Sequence, residues 1–305
     1  MKKIGVTGGS GFIGQHLIKY LLKKNYKIKS CDLINPKNII LNNKNFIFKK
    51  IDIYDEKTLL SFFSDVDCII HLAASLGVQN TEKNSLDCLD INILGTKKIL
   101  NVVKKNKIKK FIFSSSSEVY GDQKKFPLRE DYEFRIKSTY ALSKITSEFY
   151  VRSYSKKFNL NCNIVRFFNV YGEDQKKNFV IPKFIDLLSK SKNLLVYGKG
   201  NQVRAFCNIN DAVYGLYSVL RKGKKNQVYN IGNNKEVISI NELAKKIKNL
   251  AKSNVKIIKT NFKNSDRTKE REIFKRYPDL KKIKKDTGFV PRISLDEGIK
   301  NLLKK

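Results

Sequence analysis

A glycine-rich turn lies between a strand and a helix at the start of this chain. Residues Lys3–Thr7 have the pattern of a short buried strand, and the apolar residues of Phe12–Lys23 recur at helical spacing. Between them Gly8, Gly11 and Gly14 follow the spacing Gly-x-x-Gly-x-x-Gly. Glycine lets backbone approach a phosphate closely, and a helix N-terminus offers free N–H groups and partial positive charge. The turn therefore predicts a site for the pyrophosphate of a dinucleotide.

An acidic residue supports this interpretation. The next strand-like segment, Lys27–Asp32, ends in Asp32, about 20 residues beyond the glycines. A carboxylate at that point can accept hydrogen bonds from both ribose hydroxyls of adenosine. Because it would repel a 2′-phosphate, Asp32 favours NAD over NADP.

Composition limits the class of protein. The 305 residues leave room for about two modest domains, and 41% hydrophobic residues suffice for a core. No apolar run approaches the ~18 residues of a membrane-spanning helix, and we identify no signal peptide, so a cytoplasmic protein is expected. Five scattered cysteines without a Cys-x-x-Cys pair, and only two histidines, predict reduced thiols and no metal site.

The formal net charge of +34 has two interpretations. Such a charge can attract nucleic acid. The lysines, however, are spread along the whole chain and form no single arm or stripe, which is typical of solvated surfaces. We therefore expect no nucleic-acid partner and no membrane, although a positive field would attract a substrate that carries a pyrophosphate.

Strand-like and helical segments alternate through the first half of the chain, which predicts an α/β fold with a doubly wound parallel sheet. The predicted strands are Lys3–Thr7, Lys27–Asp32, Phe46–Lys50, 68–72, 110–114 and 161–167, and the predicted helices are Phe12–Lys23, 56–63, 92–105 and 140–158. After residue 171 short segments and glycine turns predict a smaller C-terminal α/β lobe. We place the domains at 1–170 and 171–305, with 204–232 returning to the first.

A tyrosine and a lysine indicate a catalytic centre. Tyr140 and Lys144 are four residues apart on a predicted helix and share one face. An adjacent ammonium would lower the pKa of the phenol, which could then move a proton to or from a hydroxyl group. The spacing alone also fits an ordinary surface pair. A polar cluster from Ser114 to Glu118 ends a buried strand, where open α/β sheets bind their ligands.

Together these residues resemble the NAD-dependent epimerase/dehydratase family, extended short-chain dehydrogenases/reductases that act on nucleotide sugars and have a Rossmann NAD-binding domain. The resemblance runs almost from end to end. It also rests on Asp52-Ile53, on 71–74, on Asn92, and on the segments 166–172, 181–185, 197–204, 229–232 and 276–279.

The resemblance implies a role for each matching residue. The catalytic residues would be Ser116, Tyr140 and Lys144, with Glu118 beside them. NAD would be bound by Gly8, Gly11, Phe12, Ile13, Gly14, Asp32, Asp52, Ile53, Leu72, Ala73, Ala74, Asn92, Tyr140 and Lys144. The substrate, a nucleotide-diphosphate sugar, would be held by Ser116, Asn169 and Arg204, with a further contact from Arg267, Arg271 or Arg276. A homodimer is the expected assembly.

The implied reaction begins with oxidation at the sugar C4. Tyr140 would take the proton of the C4 hydroxyl, and the 4-keto sugar could then be reduced on its other face. Ser117 stands where 4,6-dehydratases carry an acid, which favours a 4-epimerase. Glu118 is atypical of UDP-glucose 4-epimerases, so a C4 dehydrogenase, a decarboxylase or a 4,6-dehydratase stays open. The intact Ser116, Tyr140 and Lys144 argue against a non-catalytic regulator that binds NAD(P) or RNA.

Overall fold

The computed structural model describes residues 2–36, 43–76, 83–261 and 272–304. Within them seven parallel strands form one sheet in the order β11-β6-β5-β4-β1-β2-β3. Its strands are β1 Lys3–Thr7, β2 Lys27–Asp32, β3 Phe46–Lys50, β4 Cys68–His71, β5 Lys110–Ser116, β6 Cys162–Phe167 and β11 Val228–Ile231. The order reverses between β1 and β4, the point at which open α/β sheets bind their ligands.

Helices cover both faces of this sheet. They are α1 Phe12–Lys23, α2 Glu56–Phe62, α3 Ser85–Leu89, α4 Gly95–Lys105, α5 Thr139–Phe158, α7 Ile209–Lys222 and α9 Lys281–Thr287. One buried apolar cluster joins α1 and α7 to the sheet through Leu17 and Leu216. The other joins α2, α4 and α5 to the opposite face through Leu59, Val103 and Val151. The doubly wound α/β fold is confirmed.

Shorter elements form the smaller lobe. Its sheet β12-β9-β14 consists of Val237–Ser239, Val203–Ala205 and Lys275–Arg276, and a second pair joins β8 Leu194–Tyr197 to β13 Ile257–Thr260. The remaining elements are β7 Val170–Tyr171, β10 Cys207–Asn208, α6 Val180–Ser189, α8 Ile240–Leu250 and α10 Leu295–Leu303. Phe184, Leu243 and Ile299 lie in its core. β11 and α7 pack with the large sheet, whereas Arg204 lies on β9 in the lobe.

Two predicted boundaries were wrong by two residues or more, and four others differ by one residue. The helix expected to start at Asn92 begins at Ser85 and passes through a π-helical turn, Asp90–Leu94, before α4. The predicted strand 110–114 continues to Ser116, because its last two residues pair with Arg166 and Phe167 of β6. Parallel pairing overrides the turn preference of a serine run in the second case.

The described residues include no helix long and apolar enough to span a membrane. In the same ranges, no group of three or more His, Cys, Asp or Glu side chains is arranged to hold a metal ion. The five cysteines all lie in the described ranges; they are buried, and no disulfide joins any of them there.

Candidate active site

The glycine turn is packed so tightly that side chains do not fit. Gly8 has φ +71°, and a Cβ there would lie 2.5 Å from the backbone nitrogen of Ala73. A Cβ on Gly14 would lie 2.3 Å from the carbonyl oxygen of Gly8. Gly11 precedes α1 and supplies no side-chain cap, and the hydroxyl of Ser10 is buried with no hydrogen-bond partner in the described part of the chain. The turn therefore suits a phosphate ligand.

Asp32 lies directly against this turn. Its Oδ2 accepts a hydrogen bond from the backbone N–H of Ser10 at 3.0 Å, and its Oδ1 accepts one from Leu33 at 2.7 Å. These contacts hold the carboxylate at the end of β2, in the position expected for the adenosine ribose. Its role in binding NAD stays a prediction.

The other predicted cofactor residues follow neighbouring strands. Leu72, Ala73 and Ala74 come directly after β4, and the backbone N–H of Leu72 donates to the Thr7 carbonyl at 3.1 Å. Asp52 and Ile53 follow β3, and Phe12 and Ile13 open α1. Because all these strands are parallel, their carboxyl ends meet at one edge of the sheet. The structure thus brings the predicted cofactor residues to the same edge.

We predict that Asp32→Asn raises the affinity for NADP relative to NAD by about tenfold, because a like charge opposite the 2′-phosphate is removed. Titration of both cofactors measures this ratio. Asp55→Asn is the matched control, since Asp55 caps α2 through Thr58 and lies outside the site. Tighter binding of NADP than of NAD by the unaltered chain would remove Asp32 from this role.

The candidate catalytic residues meet at the end of β5. The strand ends at Ser116, a 3₁₀ turn covers Ser117–Tyr120, and Ser138 caps α5 by accepting the Ala141 N–H at 3.0 Å. This cap starts the helix one residue before Tyr140. The phenol of Tyr140 lies near the Ser116 side chain. Lys144 donates its Nζ to the carbonyl oxygen of Ser114 at 3.0 Å.

The expected lowering of the Tyr140 pKa is wrong for this chain. Burial raises that pKa above its usual value, and the Glu118 carboxylate raises it further, against smaller lowering effects from Ser116 and Arg276. The Lys144 ammonium lies 5.8 Å from the Tyr140 ring centre and points to a backbone carbonyl. Burial lowers the pKa of Lys144 itself to about 8. The phenol is therefore protonated at neutral pH.

Asn92 is held by internal contacts. It is 1% exposed in the π-helical turn, and its Nδ2 donates to Ser143 at 2.9 Å and to the Ser75 carbonyl at 3.1 Å. Its Oδ1 accepts the Ser75 N–H at 2.8 Å. The structure thus places Asn92 between the loop after β4 and helix α5, and contact with NAD stays a prediction.

Two of the predicted substrate arginines lie side by side. Arg204 on β9 is the register partner of Arg276 on β14. Arg276 donates its Nη2 to Oδ1 of Asn169 at 3.0 Å, and its Nη1 lies 3.5 Å from Oε1 of Glu118. Arg276 thus links Asn169 to the catalytic centre. Arg267 and Arg271 lie outside the described residues.

A carboxylate that the sequence analysis missed also belongs to this cluster. Glu272 accepts a hydrogen bond from Nη2 of Arg204 at 2.6 Å, and both side chains are buried. No signal in the sequence marks it, since it lies in a charged segment without periodicity. Only the pairing of β14 with β9 brings it to Arg204.

A buried ion pair stabilises β5, the strand that ends at Ser116. Glu148 of α5 accepts two hydrogen bonds from Arg166 of β6, at 2.9 and 2.7 Å, and one from Ser115 at 2.6 Å. Arg166 also donates to the Tyr120 hydroxyl at 2.8 Å. The network therefore fixes the strand and the turn on either side of Ser116.

His71 forms a second buried link. Thr96 donates its hydroxyl to the Asn92 carbonyl at 2.6 Å, so it accepts from Nε2 of His71 at 3.1 Å, while Nδ1 accepts from Thr7 at 2.6 Å. Burial lowers the pKa of His71 to about 3. The ring is therefore neutral in the folded chain.

We predict that His71 makes the protein sensitive to acid. Between pH 6.5 and about 3 the unfolded chain binds a proton at this position that the folded chain does not, so stability falls as the pH falls through this window and is unaffected above it. Relative to His71→Gln, the free energy of unfolding should fall by up to ~1.4 kcal/mol per pH unit. Denaturant unfolding measures it, and an identical pH dependence in both proteins would contradict it.

The chain resembles proteins that act on nucleotide sugars. A family model described as GDP-mannose 4,6 dehydratase matches residues 6–302. The chain is 36% identical to a Methanocaldococcus jannaschii protein provisionally named a UDP-glucose 4-epimerase, over 98% of this chain and 96% of that protein. It is 33% identical to a UDP-N-acetyl-alpha-D-glucosaminuronate decarboxylase of Bacillus cytotoxicus, over 99% and 97%. The structure of UDP-glucuronic acid 4-epimerase from Bacillus cereus, in complex with UDP-glucuronic acid and NAD, superposes with a TM-score of 0.90 at 29% identity, covering 99% of both chains.

Proposed function

This chain belongs to the NAD-dependent epimerase/dehydratase family of extended short-chain dehydrogenases/reductases, and we propose that it is a nucleotide-sugar 4-epimerase that works through a transient 4-keto sugar. The observation that carries the proposal is the meeting of Ser116, Tyr140 and Lys144 at the carboxyl end of β5, at the edge of the sheet where the glycine turn opens. NAD fits that turn, and the bound cofactor supplies reversible hydride transfer at C4.

The residues of the chain supply proton transfer and orientation. Tyr140 moves a proton to and from the C4 oxygen, and Ser116 holds the same oxygen. Because burial raises the pKa of the phenol, the phenolate form of Tyr140 is the minor one at neutral pH. This phenolate takes the C4 proton as the C4 hydride leaves, and the resulting phenol returns the proton when the hydride returns. Lys144, fixed by the Ser114 carbonyl, supplies positive charge behind the phenol.

The substrate's diphosphate would bind in the small lobe. Arg204, Arg276 and Asn169 present two guanidinium groups and an amide close together, and arginine forks match phosphate oxygens. The lobe would thereby place the sugar between Ser116 and the glycine turn. A nucleotide-diphosphate sugar is therefore the proposed substrate.

Ser117 argues against loss of water. It is 2% exposed, and its hydroxyl stands where a dehydratase carries an acid to protonate the leaving group. A serine hydroxyl has no readily transferred proton at neutral pH. The keto sugar would accordingly be reduced again rather than dehydrated.

Decarboxylation is the second candidate. Glu118 and Arg276 lie beside Tyr140, and a guanidinium there could bind the C6 carboxylate of a sugar acid. Oxidation at C4 turns such a sugar into a β-keto acid, which loses carbon dioxide readily. The decarboxylase of Bacillus cytotoxicus supports this candidate.

A homodimer is part of the proposal. Leu142 and Phe149 share one face of α5 and are 38% and 56% exposed, and Leu86 on the adjacent α3 is 75% exposed. A second copy would cover this apolar face. Light scattering measures the mass in solution.

Mass spectrometry of the products from UDP-, GDP-, CDP- and dTDP-sugars, including uronic acids, tests the proposed reaction. A 4-epimerase returns a product of unchanged mass with inverted C4. A product lighter by carbon dioxide selects the decarboxylase, and one lighter by water contradicts both candidates.

A further inference from the structure

Two arginines in the small sheet are each matched by a carboxylate. Arg204 and Arg276 are register partners on β9 and β14. Oε1 of Glu272 lies 2.6 Å from Nη2 of Arg204, and Oε1 of Glu118 lies 3.5 Å from Nη1 of Arg276. Like charges opposite each other on neighbouring strands repel. The two carboxylates therefore balance the two guanidinium groups.

Both terminal nitrogens of Arg204 already donate hydrogen bonds. Its Nη1 donates to the backbone carbonyls of Val203 at 3.0 Å and Phe274 at 3.4 Å, and its Nη2 donates to Glu272. Carboxylate and phosphate oxygens bind a guanidinium in the same geometry. A phosphate that approaches the Nη2 edge of Arg204 therefore competes with the Glu272 carboxylate for the guanidinium.

The backbone around Glu272 is held independently of its side chain. Its carbonyl oxygen accepts a hydrogen bond from Nζ of Lys137 at 3.0 Å. The N–H of Phe274 donates to Oδ1 of Asp122 at 3.2 Å. Neither of these main-chain contacts involves the carboxylate, so a movement of the carboxylate away from Arg204 does not require them to break.

We propose that Glu272 is an internal competitor for Arg204 that sets the class of anion the site accepts. This inference rests on the proposed function, in which Arg204 binds the substrate's diphosphate. A chain with a net charge of +34 attracts anions unselectively. A single phosphate that replaces Glu272 exchanges one anion for another and gains little binding free energy, whereas a diphosphate can also bind Arg276. Glu272 therefore favours ligands with two linked phosphates over monophosphates.

Isothermal titration of inorganic phosphate, inorganic pyrophosphate and UDP tests this inference. In Glu272→Gln the affinity for each of the three anions should rise at least about tenfold, because the competing charge is removed. The affinity for phosphate should rise most. Glu56→Gln is the matched control. Glu56 forms a salt bridge with Lys105, with 2.8 Å between Nζ and Oε1, and this pair lies outside the site. Unchanged or weaker binding in Glu272→Gln would overturn the proposal and leave Glu272 as a residue that only positions Arg204.

A second variant covers the case in which Glu272→Gln does not fold. Glu272→Asp keeps the charge but withdraws it from Arg204, so phosphate should bind with an intermediate gain, and no gain would again overturn the proposal. Pyrophosphate binding is measured without turnover. If Glu272→Gln or Glu272→Asp shows the gain but no nucleotide sugar is converted, the proposed function fails while the inference about Glu272 stands.

Discussion

Replacement of Tyr140 by phenylalanine is expected to lower turnover at least about a hundredfold, because the proton at the sugar C4 oxygen loses its donor and acceptor. The ring stays in place, and only the phenol oxygen near the Ser116 side chain is removed. Affinity for NAD should change little, since the glycine turn and Asp32 are untouched. Steady-state kinetics and cofactor titration together separate these two effects.

Tyr150→Phe is the matched control for this prediction. Tyr150 lies on the same helix, α5, and packs against the apolar cluster that joins this helix to the sheet. Its replacement removes one hydroxyl from the helix and should leave turnover unchanged. Near-normal turnover in Tyr140→Phe would remove Tyr140 from the mechanism.

Gly8→Ala is expected to weaken NAD binding by at least about a hundredfold, because the turn that approaches the phosphates must move. Gly8 has φ +71°, and the new Cβ would lie 2.5 Å from the backbone nitrogen of Ala73. Neither atom can move without shifting β1 or the loop after β4. The free energy of unfolding should also fall by about 2–3 kcal/mol.

Gly288→Ala separates the backbone effect from the steric one. Gly288 has φ +76° and ends α9, and a Cβ at this position would meet no atom of the described residues within 4 Å. The substitution should cost about 1–2 kcal/mol of stability and leave NAD affinity unchanged. If Gly8→Ala binds NAD as well as Gly288→Ala does, the glycine turn is not the pyrophosphate site.

Local pattern was enough to predict the fold and to indicate candidate residues for the site. The glycine turn, Asp32 and the pair Tyr140 and Lys144 each depend on residues close together in the chain, so spacing alone indicates their arrangement. The alternation of strands and helices likewise indicates the parallel sheet. These features require no knowledge of which distant segments meet.

Contacts between distant segments could not be predicted in this way. Glu272 meets Arg204 only because β14 pairs with β9. The direction of the Lys144 side chain depends on the carbonyl of Ser114, which β5 places beneath it. The predicted direction of the Tyr140 pKa shift was therefore wrong, because the spacing indicates a neighbouring charge but does not reveal how deeply the phenol is buried.

The central claim is that hydride leaves and returns to the same sugar carbon. The most direct test uses nucleotide sugars deuterated at C4, with NAD-replete protein and no added reductant. We expect a product of unchanged mass that keeps deuterium on C4 with inverted configuration. A product lighter by water or carbon dioxide, or a 4-keto sugar that accumulates with NADH, would contradict it.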